Sequence, residues 1–265
     1  MNYAGGKNWG DAINPVIYKL LSGRNPKCID QTKTTKEDAF LCIGSILLYA
    51  DKHSLVWGAG FHSYSATVKE KPKEVFAVRG PLSRAKLLDM KIECPKVFGD
   101  PAILYPLFYR PEYNPKYKLG IIKHCIDRKK KAKIDIENRD DVLVISMLGE
   151  INEVVDKICS CECIASSSLH GMIAADAYGL PSCRIWFGNY YGDSFKFHDY
   201  RSSIGKPMEK KLKVSQSTSL KEIISHSEEP KTTDSKDLLA SCPFLRKHSV
   251  DGEILRRSGL SMLVL

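Results

Sequence analysis

The segment CIASSSLHGMIAADAYGLP, residues 163–181, predicts a strand, a turn and a helix in direct succession. Its first residues are apolar or small, which suits a short buried strand, and the alanine-rich run 169–178 suits a helix. The helix is expected to stop at Gly179 and Pro181, because these residue types commonly follow a helix end. A strand that leads into a helix through a short turn is typical of α/β proteins with parallel sheets.

The same alternation of short apolar runs with helix-like stretches extends along the chain and predicts an α/β fold. Further helices are expected to begin near Pro15 and Pro81, because proline is favoured in the first helical turn. The expected strands lie at 40–43, 55–57, 75–78 and 96–98 in the first half and at 119–123, 142–146, 163–166 and 182–187 in the second. Each half is therefore expected to carry its own sheet.

A domain boundary is predicted within 105–117, where three prolines alternate with aromatic residues, a composition typical of a semi-rigid connection. We predict an N-terminal α/β domain at 1–110, a C-terminal α/β domain at 111–205, and a linker with helices at 206–265 that packs back on the N-terminal domain. In open α/β sheets ligands bind beyond the carboxyl ends of the strands. Two domains facing each other would place such ends at a cleft.

Composition and charge exclude several classes of protein. The 265 residues are 43% hydrophobic and 27% charged, which excludes disordered, collagen-like and disulfide-scaffold proteins. The net charge of +9 predicts an anionic partner, whether nucleic acid, an anionic membrane surface or a small phosphorylated substrate. The longest basic cluster, 128–133, has no interleaved aromatic residues. We interpret it as a solvated loop and expect no nucleic-acid partner.

The cysteines predict a reducing compartment. Nine cysteines are scattered along a chain whose N-terminus shows no cationic, apolar leader, so reduced thiols in the cytoplasm are expected. No apolar run approaches the roughly 18–20 residues that span a bilayer, so at most a peripheral position at the inner face of the membrane is expected. Cys159, Cys161 and Cys163 have the spacing of one strand face, and without paired CxxC motifs no metal site is expected.

A glycine-punctuated turn, GGKNWGD at 5–11, places an amide and a carboxylate ahead of a helix. Glycine lets the backbone approach a ligand, and the side chains of Asn8 and Asp11 can accept hydrogen bonds from sugar hydroxyls. The alternative is that Asp11 only caps the helix.

A second motif, VRGPLSR at 78–84, runs from a strand end into a helix start, where free N–H groups and the helix dipole favour an anion. An arginine there can hold a carboxylate or phosphate through two parallel hydrogen bonds. The alternatives are a surface ion pair for Arg79 and a solvated helix face for Arg84.

The hydroxyl-rich turn of 166–171 repeats this arrangement in the second half, with Ser166, Ser167 and Ser168 ahead of His170. Hydroxyl and N–H groups suit phosphate, and histidine can move a proton near neutral pH. The alternative is a structural histidine. The segment FKFHDY at 195–200 could add polar groups to a cleft, although its alternation also suits an ordinary edge strand.

In order and spacing, the motifs NWGDAINP (8–15), WGAG (57–60), VRGP (78–81), GDPA (99–102) and SSSLHG (166–171) together resemble the polysaccharide pyruvyl transferase family. FKFHDY and the segment LLASCPF (238–244) extend the resemblance over nearly the whole chain. That family is similar in fold to the GT-B glycosyltransferases, so the resemblance implies two Rossmann-like domains facing a cleft.

The resemblance also implies phosphoenolpyruvate as donor, a sugar or lipid-linked oligosaccharide as acceptor, and a pyruvate ketal on two hydroxyls as product, with no further cofactor. The family's arginine and histidine in the donor site map onto Arg79 and His170. Many members have arginine two positions before that histidine, where this chain has Ser168. The anion clamp is therefore expected to draw on Arg84, Lys123 and the backbone, together with the serines of 166–168.

In this chemistry His170 is the expected acid, with His124 and His198 next, and Asp11 is the expected base. The residues expected at the acceptor are Asn8, Lys196, His198, Asp199 and Tyr200. The alternative functions are a GT-B glycosyltransferase that uses a nucleotide sugar and a non-catalytic carbohydrate-binding protein.

Overall fold

The computed structural model describes residues 2–3, 8–30, 36–129, 131, 133–188, 194–206, 210–231 and 235–245. These residues form two compact units. Unit 1 takes the described residues of Met1–Phe108, Gly192–Met208 and Thr233–Leu265, and unit 2 those of Tyr109–Tyr191 and Glu209–Thr232. The predicted domains are continuous stretches of chain, whereas each unit combines separate stretches.

Unit 1 contains a five-stranded sheet in which every strand pair is parallel. Its strands are β1 (Asn2–Tyr3), β2 (Ile29–Asp30), β3 (Ala39–Leu41), β4 (Ser54–Trp57) and β5 (Glu74–Ala77). They lie in the order β2-β1-β3-β4-β5. The predicted strand at 96–98 is wrong, since within the described residues only Phe98 pairs there, through an isolated bridge to Val78.

The helices of unit 1 are α1 (Trp9–Ser22), α2 (Pro81–Asp89), α6 (Phe195–Ser203) and α8 (Lys236–Ala240), with short 3-10 helices at Leu47–Tyr49 and Pro101–Leu107. The expected start of α1 at Pro15 is wrong, because Pro15 lies inside the helix. A proline there cannot donate to the carbonyl of Asp11, and the side chain of Asn14 donates to that carbonyl instead, at 3.4 Å.

Unit 2 contains a second sheet of five parallel strands. They are β6 (Leu119–Ile122), β7 (Val142–Ile145), β8 (Ile164–Ser166), β9 (Ser182–Trp186) and β10 (Lys211–Lys213), in the order β10-β9-β8-β6-β7. From its other edge, this order is β7-β6-β8-β9-β10. If the strands of each unit are numbered along its own chain, both sheets therefore have the order second, first, third, fourth, fifth. The predicted α/β class with parallel strands is confirmed.

The helices of unit 2 are α3 (Cys125–Lys129), α4 (Ile151–Cys159), α5 (Leu169–Ala177) and α7 (Leu220–Ser225), with a 3-10 helix at Asp135–Asn138. One face of the sheet buries a core that includes Ile121, Ala165, Cys183 and Leu212. On the other face α5 approaches β8 so closely that a Cβ on Gly171 would overlap the hydroxyl of Ser166. Because Gly171 has no side chain, the start of α5 can lie against the end of β8.

The three closely spaced cysteines do not share one strand face, because Cys159 ends α4 and Cys161 lies in an isolated bridge to Tyr117. Among the described residues, no three histidine, cysteine or acidic side chains are grouped as metal ligands would be. Nor does any helix in this part of the chain have the length and apolar character needed to cross a membrane.

Candidate functional site

The strand order marks one place on each sheet where a ligand is expected. In an order of second, first, third, the connections leave the first and third strands in opposite directions, and a crevice opens beyond their carboxyl ends. We call these places the switch point of unit 1, at the ends of β1 and β3, and the switch point of unit 2, at the ends of β6 and β8. Predicted site residues follow β1, β6 and β8.

At the switch point of unit 2, Ser167 joins the two strand ends. Its backbone N–H donates to the Ile122 carbonyl at 3.0 Å. Its hydroxyl accepts from the His124 N–H at 2.9 Å and donates to a carboxylate oxygen of Asp127 at 2.7 Å. The residues after β6 and β8 are therefore held side by side.

The neighbouring serines shape the start of α5. The buried Ser166 hydroxyl accepts from the Ser168 N–H at 3.0 Å and donates to the Ser168 carbonyl at 2.8 Å, which closes the turn. Ser168 is the N-cap residue of α5, and within the described structure its side chain makes no capping hydrogen bond. His170 follows in the first turn and is half-buried. A helix start, a hydroxyl and an imidazole thus adjoin, a combination that can hold an anion and move a proton.

Lys123, expected to bind the donor, lies beside this turn but is paired with an acid. Its ammonium lies 2.7 Å from a carboxylate oxygen of Glu137, and the side chains are 9% and 15% exposed. The other Glu137 oxygen accepts from the Ile134 N–H at 2.7 Å, which fixes the carboxylate. A bound anion would therefore compete with Glu137 for the lysine charge, and the donor role of Lys123 stays a prediction.

At the switch point of unit 1, Asn8 and Asp11 bond to each other. Asn8 is the N-cap of α1 and accepts from the Asp11 N–H at 3.3 Å, while its amide donates to the Asp11 carboxylate. The cap is therefore Asn8, so the interpretation of Asp11 as the cap is wrong. Burial raises the pKa of Asp11, and the hydrogen bond from Asn8 lowers it by less. A carboxylate with a raised pKa is suited to accept a proton.

Asn14 was missed as a site-forming residue. It is fully buried, its carbonyl accepts from the Ile43 N–H at 2.8 Å, and its amide donates to the Ile43 carbonyl at 3.1 Å. These bonds tie α1 to the loop that follows β3 at the switch point. The available signal was an asparagine on the apolar face of the helix.

Asp100, in the GDPA segment, was also missed. It is fully buried and accepts from the Ala102 N–H at 3.1 Å. Burial raises its pKa to about 6, although hydrogen bonds from Ala102 and Gly44 and the nearby charge of Arg79 act in the opposite direction. Gly44 belongs to the loop after β3. The buried Asp100 carboxyl therefore helps to hold this loop at the switch point.

Arg79 and Asp199 form an ion pair inside unit 1, and both side chains are 0% exposed, with 3.0 Å between Nη2 and Oδ2. Arg79 also donates from Nε to Asp199 at 3.1 Å, from Nη1 to the Ser45 hydroxyl at 2.8 Å and from Nη2 to the Phe61 carbonyl at 2.5 Å. A Cβ on Gly60 would lie 2.5 Å from the guanidinium carbon. The surface ion pair weighed for Arg79 is wrong, because the pair is buried.

The Asp199 carboxylate also accepts hydrogen bonds from α2. Its two oxygens accept from the Ser83 N–H at 2.8 Å and the Ser83 hydroxyl at 2.6 Å. A Cβ on Gly80 would overlap the Asp199 backbone. Segment 195–200 belongs to helix α6 and packs on α2, so the edge-strand interpretation is wrong. The predicted ligand roles of Arg79 and Asp199 stay predictions, and the structure supplies an internal role for both.

The remaining predicted residues are spread over unit 1. Arg84 donates from Nε to the Cys94 carbonyl at 2.9 Å, so it secures the chain after α2. His198 Nδ1 lies 3.1 Å from the Tyr64 hydroxyl. Lys196 is half-buried and Tyr200 is only 2% exposed. Within α6, His198 and Lys196 are therefore the predicted acceptor residues that reach the surface.

Comparison with known proteins identifies the family. The model of the polysaccharide pyruvyl transferase family matches residues 8–189. Uncharacterized protein L143 of Acanthamoeba polyphaga mimivirus is 30% identical over 205 residues, which cover 75% of this chain and 71% of that protein. Succinoglycan biosynthesis protein ExoV of Rhizobium meliloti (strain 1021) is 30% identical over 203 residues, which cover 75% of this chain and 62% of that protein. No solved structure matches the chain.

The family match begins at Asn8, the cap of α1, and ends just beyond β9, so it includes the predicted residues at both switch points. It spans well over half of the chain, and the relative from mimivirus adds a match that covers more than two thirds of both proteins. The chain belongs to the polysaccharide pyruvyl transferase family.

Proposed function

We propose that this protein transfers the pyruvate group of phosphoenolpyruvate to two hydroxyls of a sugar residue, forming a pyruvate ketal in polysaccharide biosynthesis. Membership of the family and the similarity to the succinoglycan biosynthesis protein ExoV support this activity. The observation that carries the donor assignment is the start of α5, where His170 follows a hydroxyl-rich turn at the switch point of unit 2.

Donor binding uses the helix start. The first N–H groups of α5 have no partner within the helix itself and carry the positive end of its dipole, so they suit the carboxylate or phosphate of phosphoenolpyruvate. The Ser168 hydroxyl adds a donor at the same place. Because the helix start disfavours a cation, the negative charge of a donor bound beside His170 would favour the protonated imidazole.

His170 then donates its proton to the methylene carbon of the donor, which leaves a cationic centre at the adjacent carbon. One sugar hydroxyl adds to that centre and loses its proton. Phosphate then leaves with the electron pair of its C–O bond, and the second hydroxyl adds and loses its proton, which completes the ketal. Asp11, whose pKa is raised by burial, is the proposed acceptor for a hydroxyl proton.

The proposal includes Rossmann-like domains for the two units and a likeness of the chain to GT-B glycosyltransferases; the strand order of each unit is that of a doubly wound α/β sheet and supports the first of these. It also includes a cytoplasmic location and a sugar or lipid-linked oligosaccharide acceptor. The chemistry as written needs phosphoenolpyruvate and no further cofactor.

The test is a transfer assay in deuterated water with phosphoenolpyruvate and a panel of candidate glycans. We expect phosphate release, a glycan heavier by pyruvate less water, and solvent deuterium in the ketal methyl group, because the proton on His170 exchanges with solvent. Turnover of a nucleotide sugar in place of phosphoenolpyruvate would support a glycosyltransferase. Glycan binding without turnover of either donor would support a carbohydrate-binding protein.

A second assay separates the proposed base role of Asp11 from donor binding. Asp11→Asn removes the carboxylate but keeps a side chain that can bond to Asn8. Turnover should fall while the affinity for phosphoenolpyruvate, measured by calorimetry, stays unchanged. Wild-type turnover in the folded variant would exclude Asp11 as the base.

A further inference from the structure

A cationic and aromatic patch lies on strands β9 and β10 of the sheet of unit 2. It consists of Arg184 and Trp186 on β9 and Lys211 and Lys213 on β10, and we call it the tryptophan-lysine patch. Lys211 pairs in register with Arg184, and Lys213 with Trp186. Registered neighbours on parallel strands direct their side chains to the same face. All four side chains therefore share one face of the sheet.

Both lysine side chains are exposed and are gathered over one ring. The ammonium groups of Lys211 and Lys213 lie 5.0 Å and 5.9 Å from the centroid of the Trp186 indole. Attraction to the electron-rich ring face favours each contact, whereas the two like charges repel each other. Between the lysines, Leu212 is buried in the core on the opposite face and anchors the strand. The fold thus places two positive charges close to a half-buried ring.

The patch continues the row of residues that begins at the switch point of unit 2. Ser166 pairs in register with Arg184, which pairs in turn with Lys211. Trp186 and Lys213 are the last residues of their strands, so they lie at the carboxyl edge where Ser166 ends β8. Strands lie about 4.8 Å apart, which puts β10 roughly 10 Å from β8. A ligand that extends along this edge from the start of α5 reaches the patch.

We propose that the tryptophan-lysine patch binds an acidic saccharide chain, with a sugar ring packed against the indole and sugar carboxylates paired with Lys211 and Lys213. The inference rests on the proposed function, for which the patch would hold the acceptor glycan beyond the sugar that reacts. The C–H bonds of a sugar ring are electropositive and pack well on an aromatic face. Two cations at the ring select an acidic sugar over a neutral one.

A membrane surface fits the patch less well. Interfacial binding needs a continuous apolar area that enters the headgroup region, and the exposed neighbours of Trp186 on β10 are lysines. A phosphate would pair with the two lysines alone and would not use the indole as a packing surface. The charge and the ring together favour the acidic saccharide.

Intrinsic fluorescence gives a direct readout, because Trp9 and Trp57 are 0% exposed and Trp186 is partly exposed. The probes are a galacturonate oligomer and a maltose oligomer of the same length, each added to the full chain without donor. We expect the galacturonate oligomer to protect Trp186 from acrylamide quenching, with an affinity that falls as salt is added. The neutral oligomer should bind at least about tenfold more weakly.

The variant Lys211→Gln/Lys213→Gln should weaken galacturonate binding about tenfold, since each exposed ion pair contributes modestly. The matched control is Lys116→Gln/Lys221→Gln, which removes two exposed charges elsewhere in unit 2 and should bind as the wild type does. Trp186→Ala, followed by calorimetry, should also weaken binding. Equal loss in the control and the patch variant would overturn the proposal, because net charge alone would then explain binding.

Three other results would overturn it as well: equal affinity for both oligomers, displacement of the galacturonate oligomer by inorganic diphosphate at equal concentration, or binding to phosphatidylserine vesicles without binding to the saccharide. The assay contains no phosphoenolpyruvate. Galacturonate binding at the patch with no transfer to any glycan would therefore refute the proposed function while leaving the acidic-saccharide site intact, and transfer without such binding would do the reverse.

Discussion

The two switch points have the same strand order, but their polar side chains are used differently. In unit 1, Asn14 and Asp100 bond to the loop after β3, Arg79 reaches that loop through the Ser45 hydroxyl, and Asp199 pairs with Arg79. All four side chains are 0% exposed. In unit 2, the residues that follow β6 and β8 include several half-buried side chains, among them His170. Asp11 is half-buried too, but it lies at the rim of a switch point whose interior is closed by hydrogen bonds.

This difference in burial predicts that substitutions at the two switch points affect stability and catalysis to different degrees. A buried charge or amide must be satisfied within the protein, so removing its partner costs free energy of unfolding. A half-buried hydroxyl or imidazole keeps access to a ligand and can be changed at smaller cost to the fold. We expect substitutions in the interior of the first switch point to act mainly on stability and those in the second to act mainly on turnover.

The largest expected effect is on turnover at His170. If His170 is the acid, His170→Gln should lower the rate of ketal formation by about 10²–10⁴-fold, because glutamine keeps a hydrogen bond but has no proton to transfer. The measurement is steady-state phosphate release, with urea unfolding to check the fold. His226→Gln, at an exposed histidine of unit 2, is the matched control, and His124→Gln and His198→Gln test the other candidate acids. If His170→Gln is as fast as the wild type and either His124→Gln or His198→Gln is slow, the acid role belongs to the histidine whose variant is slow.

The next largest effect is on stability at Asp199. Asp199→Ala leaves the buried Arg79 charge without its partner and should lower the free energy of unfolding by about 3–5 kcal/mol. The comparison is Asp141→Ala, which breaks the exposed pair with Arg139 and should change the free energy of unfolding far less, because water screens an exposed pair. Urea titration of both variants measures the difference. Similar losses in the two would show that burial does not set the value of the Arg79 pair.

A pH dependence is expected from Asp100. Its pKa is raised to about 6 in the folded chain, against about 3.9 when unfolded, so folding favours the protonated form. That contribution is complete below about pH 4 and is lost as the pH rises through 6. Relative to Asp100→Asn, the wild type should lose about 2–3 kcal/mol of stability between pH 4 and pH 7. Urea titrations at pH 4 and pH 7 measure this loss. An equal difference in the free energy of unfolding between the wild type and Asp100→Asn at both pH values would contradict the prediction.

The smallest expected effect is at Asn14. Asn14→Ala leaves the Ile43 N–H buried without an acceptor and should cost about 1–3 kcal/mol. Hydrogen exchange at the Ile43 amide should also become faster, because α1 no longer holds the loop after β3. Asn138→Ala, at an exposed asparagine, is the control and should change neither quantity. Unchanged exchange at Ile43 would mean that other contacts hold the loop.

Much of the fold could be predicted from local sequence. The strand at 164–166, the turn and α5 follow from an apolar run, a hydroxyl-rich turn and a glycine-proline stop, all of which act over a few residues. The start of α1 was harder, because Pro15 resembles a first-turn proline. The Asn14 side chain, which donates to the Asp11 carbonyl, is what accommodates proline inside the helix. Strand β10 has one apolar residue between two lysines and too little pattern to predict.

The sequence by itself determined the alternation of strands and helices, the motifs of the family and the position of His170 at a helix start, because each depends on neighbours along the chain. Only the tertiary structure decided that Arg79 faces inward, that 195–203 is a helix and that Asp199 is its anchor. The partners of that ion pair are 120 residues apart. Whether a charge is buried or exposed depends on the partner that folding brings to it, and local pattern carries no record of that partner.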